Sequence, residues 1–263
     1  MIKQLLFVLS VFVFFACDEE KKPTPTASPF VKVNMIEKKS RKCVRDTVCA
    51  EINLNYPILT GGDNTAAVNA INDSLHQLAL TGLQTNPKLS VEPAFDSVQN
   101  GLLMMLQQQV KLSPKWGANF FKTLETRTLL NTPKNVSFKI TATGFTGGAH
   151  PYYQATFVTY DLNTGKSVKL TDVVRDTSAL RPMLEKGFLD AKKESPSDTL
   201  KLSDLLLPGI TRLPVSTNVC VVPEGLLFCY NPYEVSAWAV GPTEITISWD
   251  QLASLADRKR WLE

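Results

Sequence analysis

Apolar and polar positions change period several times along the chain, and each change marks an element. Lys3 precedes an apolar run from Leu5 to Ala16 that only Ser10 interrupts. A membrane-spanning helix needs about 20 apolar residues, so this shorter run reads as the core of an export signal. Further on, Val48, Ala50, Ile52, Leu54 and Tyr56 occupy every second position, the period of a half-buried strand, and Pro57 with Gly61-Gly62 closes it. From Asn64 the apolar positions Ala67, Val68, Ile71, Leu75, Leu78 and Ala79 recur at three- and four-residue steps. That spacing predicts a helix, which Asp63 or Asn64 can cap. A second helix over about 91–112 carries Phe95, Val98, Leu102, Leu106 and Val110 on one stripe, and Pro114 ends it.

Between Trp116 and Leu170 the period returns to two. Val136, Phe138, Ile140 and Ala142 alternate with polar residues, and 156–160 and 166–170 flank the turn Asn163-Thr164-Gly165, which predicts an antiparallel meander ending in a tight hairpin. Helical spacing reappears at Leu180, Leu184, Phe188 and Ala191, followed by strands near 215–222, 226–230 and 244–249 and a terminal helix over 251–262. Helices bunched between groups of strands define an α+β class: antiparallel sheets with packed helices in two lobes of one compact body. The expected division is an export signal over 1–16, a flexible tether over 17–30, a first lobe over 31–160 and a second over 161–263.

Cys17 directly follows the apolar run and is the expected lipidation site, the thiol taking a diacylglyceryl group and the freed amine a further chain. Two chains anchor a protein stably where one does not. Phe14-Phe15-Ala16 departs from the usual signal in lacking leucine three residues before the cysteine. The segment from Asp18 to Pro29 is charged and proline-rich, with nothing large enough to build a core, and reads as a tether. The expected location is the cell envelope, lipid-anchored, periplasmic or surface-exposed, with the outer membrane favoured. The 28 basic residues against 25 acidic ones give no strong field, so nucleic acid is not an expected partner.

Four cysteines remain in an oxidising compartment: Cys43 with Cys49, and Cys220 with Cys229. An even count there predicts disulfides, and sequence proximity favours the two local pairs. The second pair depends on the turn. With Glu224-Gly225 as a two-residue turn, Cys220 faces Cys229; with a three-residue Pro223-Glu224-Gly225 turn, the thiols point to opposite faces. Neither pair has zinc-ligand spacing, and no metal or cofactor is expected.

The most distinctive string is Phe145-Thr146-Gly147-Gly148-Ala149-His150-Pro151-Tyr152-Tyr153, in which two glycines permit backbone angles closed to other residues. A second string, Asn231-Pro232-Tyr233-Glu234, follows a strand, and Ala239-Val240-Gly241-Pro242 forms another punctuated loop. Together with Val168-Lys169-Leu170-Thr171-Asp172, these strings over about residues 45–252 resemble the RsiV/PdaC-like domain of unknown function. That domain occurs in lysozyme-recognising anti-sigma factors, in the non-catalytic part of certain peptidoglycan deacetylases, and in stand-alone envelope lipoproteins. The resemblance implies a two-lobed α+β fold, with 31–160 as the PdaC/RsiV-like lobe and 161–263 as the RsiV C-terminal-like lobe. It carries over neither sigma-factor regulation nor deacetylation, because the transmembrane and cytoplasmic segments of the one and the metal-binding domain of the other have no counterpart here.

A catalytic histidine needs a nucleophile and a carboxylate converging on it, and only His76 and His150 are available. Ser137 and Asp161 flank the relevant strands without any spacing that brings them to His150. The favoured expectation is therefore a non-enzymatic envelope lipoprotein that binds a lysozyme-like protein or a cell-wall glycan. His150, Tyr153, Tyr233 and Glu234 border its ligand groove; the alternative is an envelope hydrolase with a site near His150. Tyr152 and Trp238 lie in the same loops, and Lys192-Lys193 reads as a solvated helix face.

Overall fold

The computed structural model describes residues 31–86, 88–195 and 199–263, so the export signal, Cys17 and the tether lie outside the described residues. The described chain opens on a long hairpin, β1 (Val31–Arg45) and β2 (Val48–Gly61). Two helices follow, α1 (Thr65–Gly82) and α2 (Val91–Leu112), then the strands β3 (Phe120–Asn131), β4 (Asn135–Phe145) and β5 (Tyr152–Asp161). The second half contains α3 (Leu170–Val173), α4 (Arg181–Asp190), α5 (Leu202–Leu205), β6 (Val219–Val222), β7 (Gly225–Tyr230), β8 (Thr243–Ser248) and α6 (Arg258–Leu262). Strands β1 to β5 form one sheet in sequence order, and β6 to β8 form a second.

α1 starts, and α2 starts and ends, where the periodicity places them. Asn64 is the residue that caps α1, its side chain accepting the Ala67 N–H at 3.1 Å. α2 buries Phe95, Leu102 and Leu106, as its stripe predicts. Because these two helices intervene, the chain re-enters the sheet in the direction it left, and β3 runs parallel to β2 over Ala50–Leu54, whereas every other pairing is antiparallel. β1 has no counterpart in the sequence expectation. It is an edge strand, and its charged stretch from Glu37 to Arg45 hides the alternation that marks β2, a composition that protects a free edge from pairing with other chains. β2 runs on past Pro57, beyond the reach of β3, and a strand with one unpaired side accepts proline.

The molecule is layered. α1 and α2 cover one face of the large sheet, where Ile52, Leu54, Ile71, Leu75, Leu124 and Phe138 form the first core. On the opposite face, at the β4–β5 side, the small sheet packs through Ala155, Phe157, Cys220, Val222 and Cys229. The outer face of the small sheet carries Val221, Phe228 and Ile247 into a second core with Leu184 and Phe188 of α4.

Several expectations are corrected in the second half. The return arm 166–170 pairs with β5 only briefly, through the Tyr160–Ser167 bridge and the Val168 N–H on the Thr159 carbonyl, because the chain turns into α3, where Asp172 accepts the Lys169 N–H. The terminal helix is confined to α6, with turns before it.

The cysteines divide. Cys43 lies directly opposite Cys49 across the first hairpin, 3.9 Å apart at Cα, and the two are bonded. Cys220 and Cys229 are free and buried, which corrects the second expected disulfide. The turn is Pro223-Glu224, one residue earlier than the geometry needed for a bond, so Cys220 pairs with Leu227 while Cys229 donates its N–H to the Asn218 carbonyl. The thiols thus share a face but sit on a diagonal rather than opposite each other. Burial, the largest cause, pushes each thiol up to about 12, leaving roughly one in ten thousand as thiolate at pH 8. The chain from residue 17 bearing Cys17→Ser is accordingly expected to resist iodoacetamide at pH 8 when folded and to yield two thiols when unfolded without reductant. A count of zero would restore the second bond.

Candidate functional site

Gly147 and Gly148 adopt φ of 98° and 103°, a left-handed stretch that lets the chain leave β4 and come back as β5 with His150 between them. The imidazole is fixed on two sides. Its Nδ1 lies 2.9 Å from the Pro151 carbonyl, which can only accept, so in the neutral ring Nδ1 carries the hydrogen and Nε2, 3.2 Å away, accepts from the Tyr233 hydroxyl. The ring also stacks on Trp238, with centroids 4.2 Å apart and planes within 10°.

The Asn231-Pro232-Tyr233-Glu234 string forms the facing half. Asn231 donates its N–H to the Glu234 carboxylate at 2.8 Å and accepts the Glu234 N–H on its carbonyl at 3.1 Å, which folds the string into a tight turn. Tyr233 takes φ of 67°, a strained value for a residue with a side chain, and the residue is 58% exposed. The Asn231 side chain points the other way, into the sheet interface, where Oδ1 accepts the Ala155 N–H at 2.7 Å and Nδ2 donates to the Ala155 carbonyl at 3.0 Å. Asn218 does the same one step along, accepting the Phe157 N–H at 2.7 Å and donating to Ala155 at 2.8 Å. Two side-chain amides thereby stand in for a missing sixth strand on the edge of β5.

Lys192 is not a solvated charge: its ammonium donates to the carbonyls of Val240 at 2.8 Å and Pro242 at 3.1 Å, pinning the loop that carries Trp238. Burial lowers its pKa. Tyr153 stands apart from His150, facing the cysteine-lined layer between the sheets, and burial raises its pKa. Ser137 bonds Thr159, and Asp161 accepts N–H groups of its own turn, so neither meets His150. Beside Tyr233 opens a hollow of about 540 Å³ lined by Gln154, Thr156, Thr217, Asn218, Tyr233 and Glu234. His150, Tyr233 and Glu234 therefore gather at one place, joined by Trp238. The amides of Asn218 and Asn231 are the members sequence reasoning missed; the only local signal was an asparagine immediately after a strand.

These features define a class: a two-lobed α+β protein whose lobes meet at a histidine–aromatic clasp. Two family descriptions match consecutive stretches, "Deacetylase PdaC" over residues 43–153 and "Protein of unknown function (DUF3298)" over 172–250. The two matches are consistent with an RsiV/PdaC-like domain of unknown function, and the clasp joins a histidine from the first stretch to a tyrosine and a tryptophan from the second. Two solved structures share the fold. One is a DUF3298 family member from Bacteroides fragilis, with a TM-score of 0.65 and 17% identity, covering 86% of this chain and 94% of that one. The other is a DUF3298 family protein from Pseudomonas aeruginosa PAO1, with a TM-score of 0.60 and 15% identity, again over 86% and 94%. No curated protein matches the chain.

Proposed function

We propose that this chain is a lipid-anchored envelope protein that binds cell-wall glycan without turning it over, in the hollow beside the clasp. The observation that carries the reading is Tyr233, an exposed aromatic ring held rigid by a strained backbone, a hydrogen bond to His150 and its place beside Trp238. A sugar ring offers one apolar face to an aromatic and a rim of hydroxyl and acetamido groups to polar side chains, and Gln154, Thr156, Thr217 and Glu234 supply donors and acceptors around Tyr233. Both ring nitrogens of His150 are engaged, by a carbonyl and a phenol, which suits holding the tyrosine more than moving protons.

Insoluble peptidoglycan is expected to retain the chain from residue 17 bearing Cys17→Ser, and Tyr233→Ala to reduce that retention at least tenfold, or about 1.4 kcal/mol. Retention on immobilised lysozyme alone would move the assignment to a protein ligand, and retention on neither would refute it. The anchor has its own check: in the native host, Cys17→Ser should shift the protein from the membrane fraction to the soluble one, and continued sedimentation with membranes would count against lipidation.

A further inference from the structure

The early departure of the return arm from β5 leaves a second, chemically different hollow. At one end the edge of β5 is closed by the Asn218 amide on the Phe157 N–H, and at the other by the Val168 N–H on the Thr159 carbonyl. Between these closures a cleft of about 530 Å³ runs into the junction of the two lobes, within the size range of small-molecule sites. Its walls are apolar: Phe157, Val158, Val168, Leu170, Val215 and Val219. Hydroxyls of Ser167, Thr171, Thr177 and Thr217 border it, and Lys169 is its sole charged lining residue. Among the described residues Lys169 forms no ion pair. The nearby carboxylate of Asp172 is occupied by the Lys169 backbone N–H at 2.8 Å.

We propose that this cleft binds a single-chain amphiphile with an anionic headgroup, the chain lying against the valines and Phe157 and a carboxylate resting at Lys169. Apolar walls reward each methylene removed from water, one free cation selects the headgroup's sign, and the hydroxyl rim satisfies its remaining lone pairs. The two hollows adjoin through Phe157 and Thr217, but Val168, Lys169 and Thr171 line this cleft alone and Tyr233 and Glu234 line the other alone, so variants at Lys169 and Tyr233 separate this assignment from the glycan reading.

The test uses the chain from residue 17 bearing Cys17→Ser, which carries no lipid of its own, with cis-parinarate below its micelle concentration as the fluorescent probe. Saturable enhancement is expected, displaced by saturated carboxylates whose affinity rises roughly fourfold per added methylene until the cleft is full. Thr171→Trp, a substitution at an exposed lining position, should weaken parinarate at least tenfold. Lys169→Gln should weaken it by roughly fivefold and leave its methyl ester unaffected, while Tyr233→Ala should change neither. Should Thr171→Trp not fold, the Lys169→Gln and ester comparison decides alone. Absence of saturable enhancement, or enhancement indifferent to Lys169→Gln and equal for acid and ester, would overturn the proposal.

Discussion

Asn231→Ala should destabilise the folded chain by about 3 kcal/mol, the cost of stranding a buried donor and losing a further bond. Asn231 is 6% exposed, and its amide holds both the N–H and the carbonyl of Ala155, itself fully buried. In the alanine variant the Ala155 N–H keeps no partner, whereas its carbonyl retains the Asn218 amide. Urea unfolding followed by tryptophan fluorescence checks this, and in a body of this size the midpoint of thermal unfolding should drop by about 6–12 °C. Because Asn218 and Asn231 share the Ala155 carbonyl, the two alanine substitutions should not add in the double variant. A loss below about 0.5 kcal/mol, the range of ordinary surface substitutions, would mean that water replaces the amide and that the edge of β5 is not closed as described.

The second large effect is expected at Gly225, where β7 begins. A Cβ there would sit 2.0 Å from the Ile247 carbonyl oxygen and 2.9 Å from the Ser248 Cα, both backbone atoms of β8. Gly225→Ala can therefore fold only if β8 moves away, which drags Ile247 from the second core and strains the bond from the Trp249 N–H to the Glu224 carbonyl. Overpacking of this kind costs about 3 kcal/mol or more, because backbone cannot rotate aside as a side chain can. The measurement is again the denaturant midpoint, with Gly101→Ala as the contrasting control: that helical position has open space around it, and the substitution should stabilise slightly. Equal midpoints for Gly225→Ala and the parent would contradict the strand spacing.

Gly225 also shows where sequence reasoning stops. A glycine between two apolar runs reads naturally as a turn residue, and the two-residue turn it allows set Cys220 against Cys229. The structure instead uses the glycine to admit β8, hands the turn to Pro223-Glu224, and moves the pairing by one step. Close approach by a strand some twenty residues away leaves no local mark. The same holds for β2 beside β3, whose parallel contact depends on how two helices stack, and for β1, whose charges serve its exposed edge. By contrast α1 and α2 are legible to the residue or nearly so, since their apolar stripes, the Asn64 cap and Pro114 all act within one or two turns.

The clasp falls between these cases. The paired glycines announce a sharp loop at His150, and the turn after β7 announces Tyr233, yet the two residues lie 83 positions apart and nothing local says they touch. Tyr153, equally aromatic and closer in sequence, turns inward because β5 alternates and odd-numbered positions face the small sheet. Lys192 reads as a surface charge until the loop around Gly241 is seen folding over it.

The glycan reading stands or falls on where a ligand touches. Isotope-labelled chain from residue 17, bearing Cys17→Ser, should be titrated with a soluble muropeptide-free glycan fragment while the His150 imidazole, the Tyr233 ring and the Gln154 amide are followed by NMR. The prediction is a saturable shift at all three, with the Lys169 and Leu170 amides unmoved. Shifts confined to other surfaces, or no shift at any concentration reached, would contradict it.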